Sequence, residues 1–240
     1  MDNHYSDYFS KQKKRLLKRF DKTAKRADKF IAARYDEDFS RAVIKATREN
    51  FLKIIPEIPY IGGKKNQFTQ VMVINAWIIS LSRAMKAQGK ATDDVIKICC
   101  EVSDDFMKSF PSILIWMATK LAFSSLVKSK MRRQAGQSQK RKYPADFVYR
   151  YVEGDGKEYD WTLEFSECAV NKFYDEQGVH DLKPFCNFFD VTYSKYLNMG
   201  INANTTIGIG CPTCELKYKK GGETQIPQQL KEFLPINKNA

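Results

Sequence analysis

Four of the six cysteines fall within residues 159–219, and they are the side chains best suited to chemistry in this chain. Cys168, Cys186 and Cys214 are far apart in the sequence, and Asp190 follows Cys186 by four residues. A cysteine thiolate is a strong nucleophile at neutral pH if its pKa is lowered. A carboxylate one helical turn away can accept or return a proton. These four residues form the candidate catalytic group.

The elements that must position these side chains are predicted as strand, helix, helix and strand. Residues 159–165 alternate in polarity, which predicts a strand, and residues 169–177 predict a short helix. Residues 184–199 predict a second helix, and residues 205–218 predict a returning strand. Cys186 then lies in the first turn of its helix, where unpaired N–H groups and the helix dipole favour a thiolate.

Several motifs follow one another in a fixed order over residues 55–220. They are Pro59-Tyr60-Ile61-Gly62-Gly63-Lys64-Lys65-Asn66-x-x-Thr69, Cys168, Cys186-x-x-x-Asp190, Thr205-Thr206-x-Gly208-x-Gly210, and Cys214 followed by an acidic residue. Together they resemble the L-2-amino-thiazoline-4-carboxylic acid hydrolase family. The chain departs from that pattern at Asn204, where a basic residue is frequent, and at Glu215-Leu216, where an Asp-aromatic pair is frequent. Cys211 is an additional cysteine.

The resemblance implies a hydrolase that opens a small cyclic amidine such as 2-amino-thiazoline-4-carboxylate. The carbon to be attacked is bonded to two nitrogens and a sulfur, so a nucleophile adds there and a proton must reach the departing ring atom. Cys186 is the expected nucleophile and Asp190 its acid–base partner, with Cys168 and Cys214 converging from the flanking strands. The expected substrate-binding residues are Asn204, Thr205 and Thr206. This chemistry requires no cofactor.

A zinc site is the alternative interpretation of the same cysteines. Cys211 and Cys214 have the CxxC spacing of a zinc knuckle, and Cys168 and Cys186 would complete four sulfur ligands. The spacing between these pairs is wider than in a compact zinc ribbon. The protein would then be a non-catalytic ligand- or zinc-binding α+β module with a helical arm that docks a partner.

Charge is distributed unevenly along the chain. The net charge is +12, but residues 1–35 and 128–142 each carry +7, which leaves the remainder near −2. Neither segment has an RNA-binding or helix-turn-helix signature. We therefore expect a solvated helix face and a mobile loop, with a contact to nucleic acid or to an anionic membrane surface as the alternative. Six cysteines without a signal-peptide pattern favour the reducing cytoplasm.

The predicted fold class is α+β, with a helical N-terminal half packed on a small antiparallel sheet that two helices cover. The apolar residues 112–127 predict a central packing helix, with a surface-lying membrane helix as the alternative because four Lys and Arg residues follow it directly. Residues 134–142 predict an exposed loop. The predicted divisions are a basic helical extension over 1–55, a hydrolase-like domain over 56–225 with a helical part over 66–133 and a β-containing part over 146–220, and a tail over 226–240. The N-terminal helices are a possible homo-oligomer contact.

Overall fold

A computed structural model describes residues 7–234, so the outermost parts of the predicted extension and tail lie outside the described residues. A helical N-terminal half precedes a four-stranded antiparallel sheet, which confirms the predicted α+β class. The helices are α1 Lys13–Arg34, α2 Glu37–Ile54, α3 Thr69–Ala87, α4 Thr92–Lys108, α5 Ser112–Ala122, α6 Ser125–Ser138, α7 Ala169–Glu176 and α8 Phe188–Tyr196. The strands are β1 Val148–Glu153, β2 Trp161–Glu167, β3 Ile201–Thr205 and β4 Cys214–Tyr218.

The first four helices pack against one another around a shared core. Asp36 caps α2, because its side chain accepts a hydrogen bond from the Phe39 N–H at 2.7 Å. On α1, Leu16, Phe20 and Ile31 are buried at helical spacing and join the core to which α2, α3 and α4 contribute. The basic N-terminal segment is therefore packed into the body; most of its cations are exposed, and two of its arginines form ion pairs with carboxylates of α4.

The structure corrects the prediction for residues 112–142. The expected central helix is instead the short helix α5, none of whose residues is buried, and α6 extends through most of the expected loop. An apolar run alone cannot show whether a partner covers it, which is why this sequence pattern predicted burial wrongly. Ser124 begins α6 by accepting a hydrogen bond from the Val127 N–H. Within residues 7–234 no helix combines the length and apolarity needed to span a bilayer.

The sheet has the strand order β1-β2-β4-β3, with every neighbouring pair antiparallel. The predicted helix over 184–199 is shorter than expected, because a 3₁₀ helix, His180–Phe185, precedes α8. The predicted strand over 205–218 is also divided, since the 3₁₀ turn Ile207–Ile209 separates β3 from β4. Gly200, with a φ of +53°, turns the chain from α8 into β3.

Candidate functional site

Two of the candidate cysteines meet at one end of the sheet because their strands are antiparallel neighbours. Phe165 on β2 pairs with Cys214, the first residue of β4. β2 ends at Glu167, and Cys168 follows as the N-cap residue of α7. Cys168 therefore lies just past the end of the sheet at which β4 begins, close enough to Cys214 for a charge on that thiol to raise the Cys168 pKa, although 46 positions separate them in the sequence.

Cys186 approaches the same end of the sheet from the segment before α8. The turn Ile207–Ile209 packs closely on it: a Cβ atom added to Gly208 would lie 2.0 Å from the Lys183 carbonyl oxygen and 3.2 Å from the Cys186 Sγ. The Ile207 N–H in the same turn donates a hydrogen bond to the Cys214 Sγ at 3.1 Å. This single turn therefore bonds the Cys214 sulfur and leaves no space for a side chain beside the Cys186 sulfur.

Asp190 completes the group from the first turn of α8. It is close enough to Cys168, Cys186 and Cys214 for its charge to raise the pKa of each thiol. We call Cys168, Cys186, Cys214 and Asp190 the cysteine–aspartate cluster. The four residues predicted from the sequence as the catalytic group thus lie together in the fold.

The thiols of the cluster are protonated at neutral pH. Burial raises the pKa of Cys168 to about 12 and raises the pKa of Cys186 well above its ordinary value. Burial also raises the pKa of Cys214, although the hydrogen bond from Ile207 opposes the rise. The expectation that a helix start would favour a Cys186 thiolate was wrong, because Cys186 lies at the end of a 3₁₀ helix and burial prevails.

The Asp190 carboxyl has the most unusual electrostatic environment of the cluster. Burial raises its pKa to about 7, and it forms no hydrogen bond or ion pair within residues 7–234. The N-terminus of a helix stabilises a carboxylate by about 0.3–1 kcal/mol, which is too little to offset removal from water. Asp190 nevertheless remains partly open to solvent. It can therefore exchange protons and change charge near neutral pH.

Three buried polar side chains beside the cysteines have atoms without a hydrogen-bond partner among the described residues. Asn171, three residues after Cys168, is 3 % exposed and neither amide atom is bonded. Asn187 follows Cys186; it donates to the Ala203 carbonyl at 2.9 Å, but its Oδ1 has no partner. Thr206, next to the turn that binds Cys214, is 1 % exposed with a free Oγ1. Buried polar atoms are normally bonded, so these groups are available to bind a water molecule or a polar ligand.

Sequence reasoning named Thr206 but missed Asn171 and Asn187. Each of these asparagines lies within three residues of a candidate cysteine in the sequence, and this proximity could have identified them. The other expected binding residues are placed differently: Thr205 ends β3 and pairs with Glu215 in the sheet register, while Asn204 is exposed and its amide bonds Asn202 and Gln225.

Cys211, the fourth cysteine considered as a zinc ligand, is not part of the cysteine–aspartate cluster. Cys211 is near Cys214, whose pKa its charge raises, and its N–H donates to the Thr206 carbonyl at 3.2 Å. In the part of the chain that the structure describes, no three or more His, Cys, Asp or Glu side chains are grouped as metal ligands. All six cysteines are free thiols.

Two surface clefts lie apart from the cluster. One, of about 410 Å³, is lined by Arg15, Arg19 and Lys64 among others. The other, of about 650 Å³, lies between α5 and residues around the end of α8. The cluster residues line neither cleft, and solvent reaches the cluster through the partly exposed Cys168, Cys186 and Asp190.

The arrangement brings together protonated thiols, one carboxyl that titrates near neutrality, and unbonded amide and hydroxyl groups. Such a set can move a proton while a polar ligand is held by hydrogen bonds. Comparison of the chain with protein-family models, with curated proteins and with solved structures found no match.

Proposed function

We propose that the protein is a hydrolase that opens a small cyclic amidine, with 2-amino-thiazoline-4-carboxylate as the first candidate substrate. The observation that carries the proposal is the unpaired Asp190 carboxyl, whose pKa is raised to about 7 beside three thiols. A carboxyl with that pKa is suited to general acid–base catalysis at neutral pH, whereas an ordinary carboxylate is too weak a base.

The raised thiol pKa values determine how a cysteine could act. A protonated Cys186 would need a base during attack, and Asp190 is the nearby group able to accept its proton. The sulfur would add to the amidine carbon, and the protonated Asp190 would then return the proton to the departing ring atom. Water would release the adduct with the same carboxyl as base. Cys168 and Cys214 would lie beside the substrate and orient it.

The unbonded polar groups support the choice of substrate class. An amidine presents N–H donors and a carboxylate presents acceptors. The free Oδ1 of Asn187 could accept from the amidine, while the Thr206 hydroxyl and the Asn171 amide could donate to the carboxylate. Thr205 remains a proposed contact at the end of β3. The six free thiols are consistent with a proposed cytoplasmic location.

Turnover of 2-amino-thiazoline-4-carboxylate and related cyclic amidines tests the proposal. Asp190→Asn should lower kcat by roughly 100- to 10,000-fold, the usual contribution of a general acid–base group. Cys186→Ser should lower kcat strongly, and Cys211→Ser, a matched change outside the cluster, should leave it within about twofold. Full activity of Cys186→Ser would remove the nucleophile assignment.

Metal analysis of the same purified protein distinguishes the zinc alternative. One zinc per chain, with loss of folding on chelation, would favour the non-catalytic module. Metal-free protein with turnover sensitive to Asp190→Asn would favour the hydrolase.

A further inference from the structure

Exposed apolar side chains are concentrated in one short stretch of the chain. Eight of the ten large hydrophobic side chains exposed among the described residues fall within residues 106–126. They are Phe106, Phe110, Ile113, Leu114, Trp116, Met117, Leu121 and Leu126. Scattered exposed apolar residues are ordinary, but a dense group of this size marks a surface that contacts an apolar partner.

The helix α5 is held in place on its inner side, so its outer face is a stable surface. Ile115, Ala118 and Ala122 pack against the core, and the Thr119 hydroxyl donates to the Leu197 carbonyl at 2.7 Å. The outward residues are much more exposed: Ile113 is 60 % exposed and the others on α5 are about as open. The exposure is therefore a property of the folded helix.

Positive charge accompanies this apolar face. Residues 106–145 carry nine Lys and Arg and no Asp or Glu. On α6, Leu126, Lys130 and Arg133 follow the i, i+4, i+7 spacing that places them on one face. Leu126 is 78 % exposed, and Lys130 and Arg133 are exposed and form no ion pair within residues 7–234.

A tryptophan and a lysine on α5 form a cation–π pair. The Lys120 Nζ lies 3.7 Å from the centre of the Trp116 ring, and the ring is itself exposed. Tryptophan prefers the boundary between hydrocarbon and headgroups, and lysine can extend its ammonium to the phosphates while its alkyl stem stays apolar.

We propose that the outer face of α5, together with Leu126, Lys130 and Arg133 on α6, docks on an anionic lipid surface. The helix lies in the plane of the interface with its apolar side chains in the acyl boundary and the cations at the lipid phosphates. Charge selects this occupant over a second copy of the chain. Two copies meeting here would bring together two sets of cations, Lys120, Lys130 and Arg133, that have no acidic partner among the described residues.

Sedimentation of the full chain with lipid vesicles tests the proposal. Vesicles of phosphatidylcholine with about one third phosphatidylglycerol should carry the protein down, and phosphatidylcholine alone should bind far less. The fluorescence of Trp116 should shift to shorter wavelength on binding, since Trp77 is half-buried and Trp161 is 1 % exposed before binding.

Two matched pairs of variants locate the contact. Ile113→Gln should lower partitioning roughly fivefold or more, and Ile209→Gln, the same change at an exposed isoleucine outside the face, should not change it. The double variant K130E/R133E should lower partitioning on the order of tenfold to a hundredfold. Its control, K14E/K18E on α1, changes the net charge equally and should have a much smaller effect.

Each result decides for or against the proposed docking surface. All four variants alter exposed side chains, and thermal melts followed by circular dichroism verify that they fold. Failure of the wild-type chain to bind anionic vesicles overturns the proposal. Equal loss of vesicle binding in a variant and its control also overturns it. A third contrary result is a dimer, detected by light scattering and dissociated by Ile113→Gln, in a chain that does not bind vesicles. Ile113→Gln and K130E/R133E change neither the cluster nor the turn Ile207–Ile209, so turnover of these two variants tests the hydrolase proposal separately.

Discussion

Asp190 combines two properties that structural carboxylates rarely share. It is largely removed from water, and it has no cation or hydrogen-bond donor among the described residues to stabilise its charge. Burial of an unpaired charge reduces folding stability, so such a residue usually serves a function. Surface carboxylates of this chain behave in the opposite way; backbone N–H donors from Lys157 and its neighbours lower the pKa of Asp155.

The raised pKa of Asp190 predicts a change in stability with pH. Because the folded-state pKa of about 7 exceeds the unfolded value, the folded chain binds more protons between about pH 4 and 7. This contribution to the unfolding free energy is therefore lost as the pH rises through 7. Relative to wild type, the unfolding free energy of Asp190→Asn should therefore rise by about 1–3 kcal/mol between pH 4 and pH 8, after allowance for partial solvent access.

Urea unfolding at both pH values measures this difference. Asp155→Asn is the control with the opposite sign, because the lowered pKa of Asp155 stabilises the charged form at high pH. An Asp190→Asn difference that is the same at pH 4 and pH 8 would contradict the raised pKa.

At the scale of elements, the turn Ile207–Ile209 fixes the geometry of the cluster. Gly208 allows this turn to approach the Lys183 carbonyl and Cys186, and no side chain fits in that space. Gly208→Ala should displace the turn from both sulfurs, lower the unfolding free energy by about 1–3 kcal/mol and reduce turnover.

Gly136→Ala provides a control for the Gly208 substitution. Gly136 lies within α6, and a Cβ there would contact nothing within 4 Å. Alanine has a higher helix propensity than glycine, so the unfolding free energy of this variant should rise by about 0.5–1 kcal/mol. Thermal or urea unfolding of both variants gives the comparison, and a neutral Gly208→Ala would refute the close approach.

The sequence predicted local features well where one interaction determines them. The alternation over residues 159–165 predicted the strand that forms β2, and the N-terminal extension was correctly predicted to be helical. The grouping of Cys168, Cys186, Cys214 and Asp190 was also predicted, from motif order. Two features could be identified only from the structure: the unbonded side-chain atoms of Asn171 and Asn187, and the exposure of α5. Both depend on what packs against a residue, which periodicity does not reveal.

For the whole molecule, the N-terminal helix shares its core with the rest of the chain. Ile31 on α1 is fully buried, and α1 packs on both α2 and α4. Ile31→Ala should lower the unfolding free energy by about 2–5 kcal/mol in one cooperative transition. Urea unfolding followed by both circular dichroism and tryptophan fluorescence measures it. Ile113→Ala, at an exposed isoleucine, should change stability by less than about 0.5 kcal/mol; two separate transitions would instead indicate an independent N-terminal unit.

A titration of the Asp190 carboxyl tests the central claim most directly. Carbon-13 NMR of the full chain labelled at aspartate carboxyls follows each group with pH, and the resonance lost in Asp190→Asn identifies the one of interest. We predict a midpoint of about 7, because burial beside the three thiols raises this pKa. A midpoint near about 3.9, the ordinary value for aspartate, would contradict the proposed acid–base role.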